Sequence, residues 1–388
     1  MQGMKSALTA LTALTDTIRQ AAAQRQPLRI RGGGSKDFYG LALQGQVLDT
    51  RPYSGIVSYE PSELVVTVRA GTPLAELEAL LAGRGQCLAF EPPRYGDGGT
   101  VGGMVSAGLN GPARASVGAV RDFVLGAQVI NGWGELLIFG GQVMKNVAGY
   151  DVSRLMAGAM GTLGVLAEVS IKVLPVAPAE ATLCFEMEQA DALAALNRWG
   201  GQPLPLNASC WVHDQGRSLL YVRLRGAVAA VEAACRSMGG QLLDSATVAP
   251  DWIACRDQTL PFFRATGAAS PTGQASAQPG GDALWRISVP QTAPVLALAS
   301  VPAHAQLVEW HGGLRWLWAP ASQGPAIRAA AQAAGGHATL FRPAAETDRA
   351  QQGVFTPLSA PLQAIHRRLK AEMDPAGIFN PGRMFAEF

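Results

Sequence analysis

Apolar residues recur at three- and four-residue steps at the start of the chain, at Leu8, Leu11, Leu14 and Ile18, and predict an amphipathic helix over 8–23. Pro27 stops it. Short strands are predicted at 28–31, 46–48, 55–60 and 63–69, the last two rich in β-branched residues. Thr72 and Pro73 read as a helix cap and a first helical residue. Behind them Leu74, Leu77, Leu80 and Leu81 share one face, and Gly83 ends the helix. Segments 124–130 and 136–139 flank Asn131-Gly132-Trp133-Gly134 and predict a hairpin. Val152 to Met156 reads as helix, and 165–174 as a long strand ending at Pro175.

The pattern restarts after Pro175-Val176-Ala177-Pro178. Strands are predicted at 181–185, 210–213, 219–224, 284–289, 306–309 and 315–318, and helices at 188–199, 227–238 and 327–334. Runs of strands and helices in this order predict an α+β domain around an antiparallel sheet. Residues 265–281 hold no charge and are rich in Ala, Ser, Gly, Gln and Pro, which reads as a mobile loop. A last helix is expected over 360–373. The domain reading is therefore 1–177, then 178–359, then a 360–388 helix and tail that return to the first domain.

Composition narrows the function classes. The 388 residues include 45 glycines and 25 prolines, above the roughly 7% and 5% of an average protein, and only 15% are charged. A net charge of +2 argues against a nucleic-acid groove, which needs many phosphate-neutralising groups. So low a charge suits either a surface covered by partner proteins or an Ala/Gly-rich composition. Cys87, Cys184, Cys210, Cys235 and Cys255 form no C-x-x-C pair, so this chain is not expected to ligate zinc or an iron–sulfur cluster, and a reducing compartment fits. The start lacks the apolar core of a secretory signal, and no run reads as a membrane-spanning helix.

Three glycine-rich segments carry the candidate chemistry. Gly32-Gly33-Gly34-Ser35-Lys36 follows a strand and can turn successive N–H groups toward an anion, or can be a plain surface turn. It lacks both the G-x-x-x-x-G-K-[ST] spacing and the G-x-G-x-x-G fingerprint. Eight glycines fall within 91–118, including Gly98-Gly99-Thr100-Val101-Gly102-Gly103. They make either a low-bulk surface for a large cofactor or a site of close helix packing. Gly158-Ala159-Met160-Gly161-Thr162-Leu163-Gly164 is the third. Together the three suggest one extended nucleotide held mainly by main chain. Arg121 can face a phosphate or pair with Asp122. Lys145-Asn146 before Ala148-Gly149-Tyr150-Asp151 can be a polar cofactor edge or a turn.

These residues resemble the flavin-binding family of the vanillyl-alcohol oxidase and p-cresol methylhydroxylase (PCMH) type. The similar stretches are RGGGSK at 31–36, SYEPSELVVTVRAGTPLAEL at 58–77, GGTVGGMVSAGLNGP at 98–112, VGAVRDFVLGAQVING at 117–132, GGQVMKNVAGYDVSRLMAGAMGTLGVLAEVSIKVLP at 140–175 and FNPGRM at 379–384. Within the family the likeness is to flavin subunits of glycolate-oxidising complexes. The resemblance implies a two-subdomain FAD-binding domain followed by a smaller cap domain. It carries cofactor contact onto Arg31, Gly32, Gly33, Gly34, Ser35 and Lys36 at the pyrophosphate. It adds Gly99, Thr100, Gly102, Gly103 and Ser106 along the cofactor, with Gly118, Arg121 and Asp122 as their continuation. Gly161, Thr162, Gly164, Val165 and Asn380 complete the set. It further implies a catalytic FAD subunit and an iron–sulfur subunit as partners, a small 2-hydroxy acid as substrate of the complex, a cytoplasmic location, and contact with a membrane only through partners.

Two departures qualify these expectations. The loops 32–36 and 92–103 hold neither His nor Cys, so non-covalent FAD is expected. Relatives that oxidise 2-hydroxy acids carry an H-x-G-D-G-N-x-H-type run, where this chain has only His311-Gly312-Gly313-Leu314-Arg315. His311 is thus either an alternative base or a turn residue beside Trp310 and Trp316. A free-standing FAD oxidoreductase and a non-catalytic scaffold remain the competing readings.

Overall fold

The computed structural model describes residues 2–141, 151–214, 216–264, 281–298 and 301–387. Lys145 and Asn146, read as a cofactor edge or a turn, and all but the last residue of the 265–281 segment expected to be a mobile loop lie outside the described residues. The chain forms two compact units. The first comprises 1–109, 119–176 and 357–388; the second comprises 110–118 and 177–356. The strand-and-helix pattern marks a boundary near 177 and the tail's return. The brief excursion of 110–118 into the second unit leaves no such mark.

The first unit is built on a five-stranded antiparallel sheet, in the order Ile56–Glu60, Val65–Arg69, Val165–Lys172, Val124–Ile130, Leu136–Gly140. The central strand Val165–Lys172 is buried on both faces. Its one carboxylate, Glu168, accepts from the Tyr53 hydroxyl and the Gln128 amide, both at 2.8 Å. That pairing lets a charged residue sit mid-sheet. Beside the sheet, Leu28–Arg31 pairs in parallel with Gln46–Asp49. The first helix, Gln2–Gln24, buries Leu14, Ile18 and Ala21 against Leu28, Leu48 and Phe379, while Leu8 is exposed. The apolar face thus begins one residue earlier than expected, at Ala7.

Helix Leu74–Ala82 forms with Leu74, Leu77 and Leu81 buried, but Thr72 does not cap it. The Thr72 hydroxyl accepts from Gly55 N–H at 2.8 Å and donates to Arg69 C=O at 2.7 Å, so it ties two strand ends together instead. The hairpin turn is held by Asn131, whose side-chain oxygen accepts from the N–H groups of Trp133 and Glu135. Asx turns of this kind are a common local solution for Asn.

The second unit is an eight-stranded antiparallel sheet. Its order is Gln241–Leu242, Ala179–Glu186, Arg217–Gly226, Leu206–Asp214, Gln306–Glu309, Leu314–Pro320, Asp282–Ser288, His337–Arg342. Helices Gln189–Gly200 and Val228–Met238 cover one part through Leu193, Leu196, Trp199 and Val231. Gly324–Ala333 covers another through Ile327 and Ala331. The edge strand His337–Arg342 and the helix Ser245–Asp257 were not anticipated. The helix carries Pro250 and has no clear apolar stripe, so its periodicity is weak.

Candidate functional site

In the first unit the parallel strand Leu28–Arg31 delivers the chain into Gly32-Gly33-Gly34, and helix Val101–Ala107 starts alongside it. The Thr100 hydroxyl caps that helix, accepting from Gly103 N–H at 3.2 Å. Between them lies a cavity of about 100 Å³. Arg31, Gly32, Gly33, Gly34, Ser35, Lys36, Thr100, Gly103, Ser106 and Asn380, all anticipated, line it together with Asp37, Tyr39 and Met160. Small-molecule sites usually enclose roughly 300–1,000 Å³. This one has room for one anionic group of a larger ligand, not for a whole dinucleotide.

Its electrostatics suit such a group. Asp37 accepts from Arg29 at 2.5 Å and from Arg31 at 3.3 Å, so it is shared between two guanidinium groups. Lys36 has no carboxylate partner among the described residues; its ammonium donates to Ser35 Oγ at 3.5 Å and lies 5.8 Å from the centre of the Tyr95 ring. Burial pushes its pKa down to about 8. A partly desolvated cation without a carboxylate partner favours an incoming anion.

The glycines divide by role. A side chain on Gly33 would place its Cβ 1.4 Å from Gly98 C=O, and one on Gly32 would meet Thr100 Oγ1 at 2.2 Å. Two loops touch here through bare backbone, and their contact forms one cavity wall. Gly34 has φ +74°, with the Arg31 guanidinium lying across it. Gly99 is open, its nearest neighbour being Ser35 Oγ at 3.8 Å.

Other anticipated residues lie off the lining. Gly102 packs its helix onto Ala70, 2.7 Å from a virtual Cβ to the Ala70 Cβ, so close helix packing accounts for it. Gly161 faces the Asn380 amide and Ile30, which puts the third glycine segment at the cavity's rear. Thr162 bonds Ala159 C=O, Gly164 packs on Val129 and Ile130, and Val165 opens the buried central strand. Arg121 pairs with Asp122 at 3.8 Å with both side chains largely exposed, and Asp122 also accepts from Ala119 N–H. Gly118 belongs to the second unit.

The tail supplies the anticipated Asn380 together with two residues that sequence reasoning missed, Lys370 and Arg383. Asn380 Oδ1 accepts from Ile30 N–H at 2.8 Å and its amide donates to Met160 C=O at 2.7 Å, bridging the first and third glycine segments. Lys370 donates to Asp374, Thr162 C=O and Phe379 C=O at 2.7–2.8 Å, all buried. Arg383, buried, donates to main-chain carbonyls of loop 36–41. Its place inside FNPGRM was the available signal, but nothing local says which carbonyls it meets.

In the second unit His311 is buried in a turn where it and Trp310 both have φ near +55°. Ser209 Oγ accepts from the His311 backbone N–H at 2.9 Å, so its own proton can go to Nδ1 at 3.2 Å. That leaves Nε2–H to donate to Ser116 Oγ at 2.9 Å. Burial lowers the imidazole pKa to about 4. A neutral ring with both nitrogens engaged is a poor proton acceptor near neutral pH. Among the described residues no group of three or more His, Cys, Asp or Glu is arranged to hold a metal. No described helix is long and apolar enough to cross a membrane.

Residues 8–140 match the FAD binding domain family, which makes FAD the cofactor of this domain. The bare-backbone wall and the half-buried Lys36 ammonium, which has no carboxylate partner among the described residues, fit its anionic centre. Glycolate oxidase subunit GlcE of Escherichia coli is 45% identical over 375 residues, 97% of each chain. Glycolate oxidase subunit GlcD of Bacillus subtilis is 31% identical over 173 residues, 44% of this chain and 36% of its own. Alkyldihydroxyacetonephosphate synthase shares the fold, with a TM-score of 0.63 at 15% identity over 95% of this chain and 75% of its own. Similarity at that level over nearly the whole length places the chain in the glycolate oxidase GlcE family, with a PCMH-type FAD-binding unit joined to an antiparallel α+β unit.

Proposed function

We propose that this chain is an FAD-holding subunit of a multi-subunit glycolate oxidase, supporting oxidation of glycolate to glyoxylate. The observation that carries this reading is the Lys36 cavity: a half-buried cation among glycines, in a unit that matches the FAD binding domain family. Gly32 to Lys36, Thr100, Gly103 and Ser106 would hold the anionic middle of the cofactor, with Asn380 fixing the loops behind it. FAD, when bound, supplies the capacity to accept a hydride and pass electrons on. Lys36 supplies charge, Thr100 and Asn380 hold the loops in register, and the closed loop–loop contact keeps water from the wall.

His311 supports a division of labour. Held neutral between Ser209 and Ser116, it does not offer a base for a substrate hydroxyl. Substrate oxidation then belongs to a catalytic FAD subunit, and electrons leave through an iron–sulfur subunit toward quinone. This chain acts as relay or scaffold, in the cytoplasm, and meets a membrane only through those partners.

The test is purification of the chain alone and with its native partners. Flavin absorption near about 450 nm in the isolated chain, not bleached by glycolate until the partners are added, is the expected result. Bleaching by glycolate without partners would reassign the chain as a free-standing oxidase. A colourless chain that still assembles would make it a scaffold only.

A further inference from the structure

The end of the chain does more than pack on the first unit. Arg383 is 5% exposed, and its guanidinium sits inside the curve of loop 36–41. Nη2 donates to Lys36 C=O at 3.3 Å, to Asp37 C=O at 3.0 Å and to Tyr39 C=O; Nη1 donates to Leu41 C=O. The Arg383 backbone closes the ring, since its carbonyl accepts from Leu41 N–H at 2.9 Å. A virtual Cβ on Gly40, at φ +98°, would lie 3.0 Å from that same carbonyl. Four carbonyls in six residues thus converge on one planar cation. Guanidinium presents five N–H donors in a fixed planar fork, which holds carbonyls spread along a loop in one geometry, whereas a lysine ammonium offers three donors at a single point.

The loop so held is a cavity wall. It begins at Lys36, and Asp37 and Tyr39 line the same space. Turning the Lys36 carbonyl toward Arg383 fixes that residue's peptide plane, and with it the start of the Lys36 side chain. Asp37 N–H closes the turn onto Gly34 C=O at 3.1 Å, so the restraint reaches back into the glycine loop.

We propose that Arg383 is a positioning residue for the cofactor: it gathers the carbonyls of loop 36–41 so that Lys36 and the glycine turn are set for an anion before one arrives. The proposal rests on the reading that FAD lies against this cavity, but one of its measurements does not need FAD.

The experiment compares full-length wild type, Arg383→Ala and Arg383→Lys. Hydrogen–deuterium exchange of the flavin-free chains is read by peptide. Expected is faster exchange confined to 34–43 in both variants, with the five-stranded sheet protected as in wild type. Flavin release is then timed after dilution of the loaded chains. Expected is release faster by about 10- to 100-fold in both variants. N-ethylguanidinium at a non-denaturing concentration should slow it again in Arg383→Ala but not in Arg383→Lys. A general loss of stability would not respond to a small cation in this way.

Exchange at 34–43 unchanged, or release as slow as in wild type, would overturn the proposal. So would both variants losing their cooperative unfolding transition, because Arg383 would then be a strut of the whole unit. If wild type itself holds no flavin, the functional reading fails, while the exchange result still decides whether Arg383 organises the loop.

Discussion

The two units each contain a cavity, and the pair differs in nearly every respect. The first is about 100 Å³, lined by glycines, Ser35, Lys36 and Thr100. The second is about 630 Å³, lined by Trp252, Tyr221, Phe262, Cys210, Cys255 and the carboxylates of Asp214 and Asp251, with no lysine or arginine among the described residues of its wall. Burial acts in opposite senses in the two. It pulls Lys36 down to about 8 and pushes the Tyr221 phenol up to about 12, with Cys184, Cys210, Asp214 and Asp251 adding to the rise. The Cys255 thiol is also held well above its usual range, by Cys210, burial and Glu309, and it donates to Glu309 at 3.0 Å. The larger space is thus unfavourable to added negative charge. The smaller one has a cation waiting for it. On the proposed reading, volume alone would select the other cavity for the anionic cofactor.

The strongest way to break this contrast is to put a side chain on one glycine of each cavity. Gly33→Val drives a side chain into Gly98 C=O, which is backbone and cannot swing aside. The expected outcome is loss of essentially all bound flavin, read as the ratio of flavin to protein absorbance. Gly216, on the larger cavity, has open space around its Cβ position and only the strain of φ +78°. Gly216→Ala should cost about 1 kcal/mol and leave flavin content unchanged. Equal flavin content in the two variants would show that the small cavity is not the cofactor's.

A second large effect is expected where the tail locks the first unit. Lys370 and Asp374 pair at 2.7 Å with their side chains almost fully buried, and Asp374 also accepts from the N–H groups of Ile378 and Phe379. Removing one partner leaves an uncompensated buried charge, at a cost of about 3–5 kcal/mol. Lys370→Met should lower the urea midpoint of the first unit accordingly. A shift of under about 1 kcal/mol, the range of exposed pairs, would mean the ion pair is not what holds the tail.

How much of this was readable in advance differs between the two units for a physical reason. Apolar runs, periodic faces and turn residues revealed most strands and helices of both, because each element buries at least one apolar face. Leu74, Leu77 and Leu81 and the hairpin at 124–140 are examples. The glycine segments disclosed where backbone must come close, but not to what. Gly33 meets another loop, Gly102 meets Ala70, and only some face the cavity. Local spacing cannot distinguish these, since a loop contact, a helix contact and a cavity wall all need the same missing Cβ. Arg383 and Lys370 were illegible for another reason. Their partners at Lys36, Tyr39 and Thr162 are more than 200 residues away in sequence.

The second unit offers a pH test of its own. His311 has a folded pKa of about 4 against an ordinary 6.5. Between those values the unfolded chain binds the extra proton, so the stabilising contribution is complete above pH 6.5 and is lost as pH falls toward 4. The slope approaches about 1.4 kcal/mol per pH unit in that window. His311→Asn should flatten this limb of the unit's thermal midpoint against pH. If the wild-type midpoint is flat between pH 6.5 and 4.5, the ring is not buried neutral and the division of labour built on it falls.

The smallest effect expected belongs to Lys36, and it sharpens the contrast most directly. The ammonium is charged below pH 8 and neutral above it, the reverse of what an acid would do. An anion bound beside it raises that pKa, so binding takes up a proton, and affinity must fall as pH rises through about 8 to about 10. For inorganic pyrophosphate, measured calorimetrically on the flavin-free chain, the fall should be about tenfold, equivalent to about 1.4 kcal/mol. Lys36→Met should bind more weakly at pH 7 and show no such fall. Asp251→Asn, on the wall of the other cavity, should keep the wild-type profile. A pH-independent affinity in wild type would mean that the cation does not face the anion. A profile altered by Asp251→Asn would mean that the probe sits in the larger cavity after all.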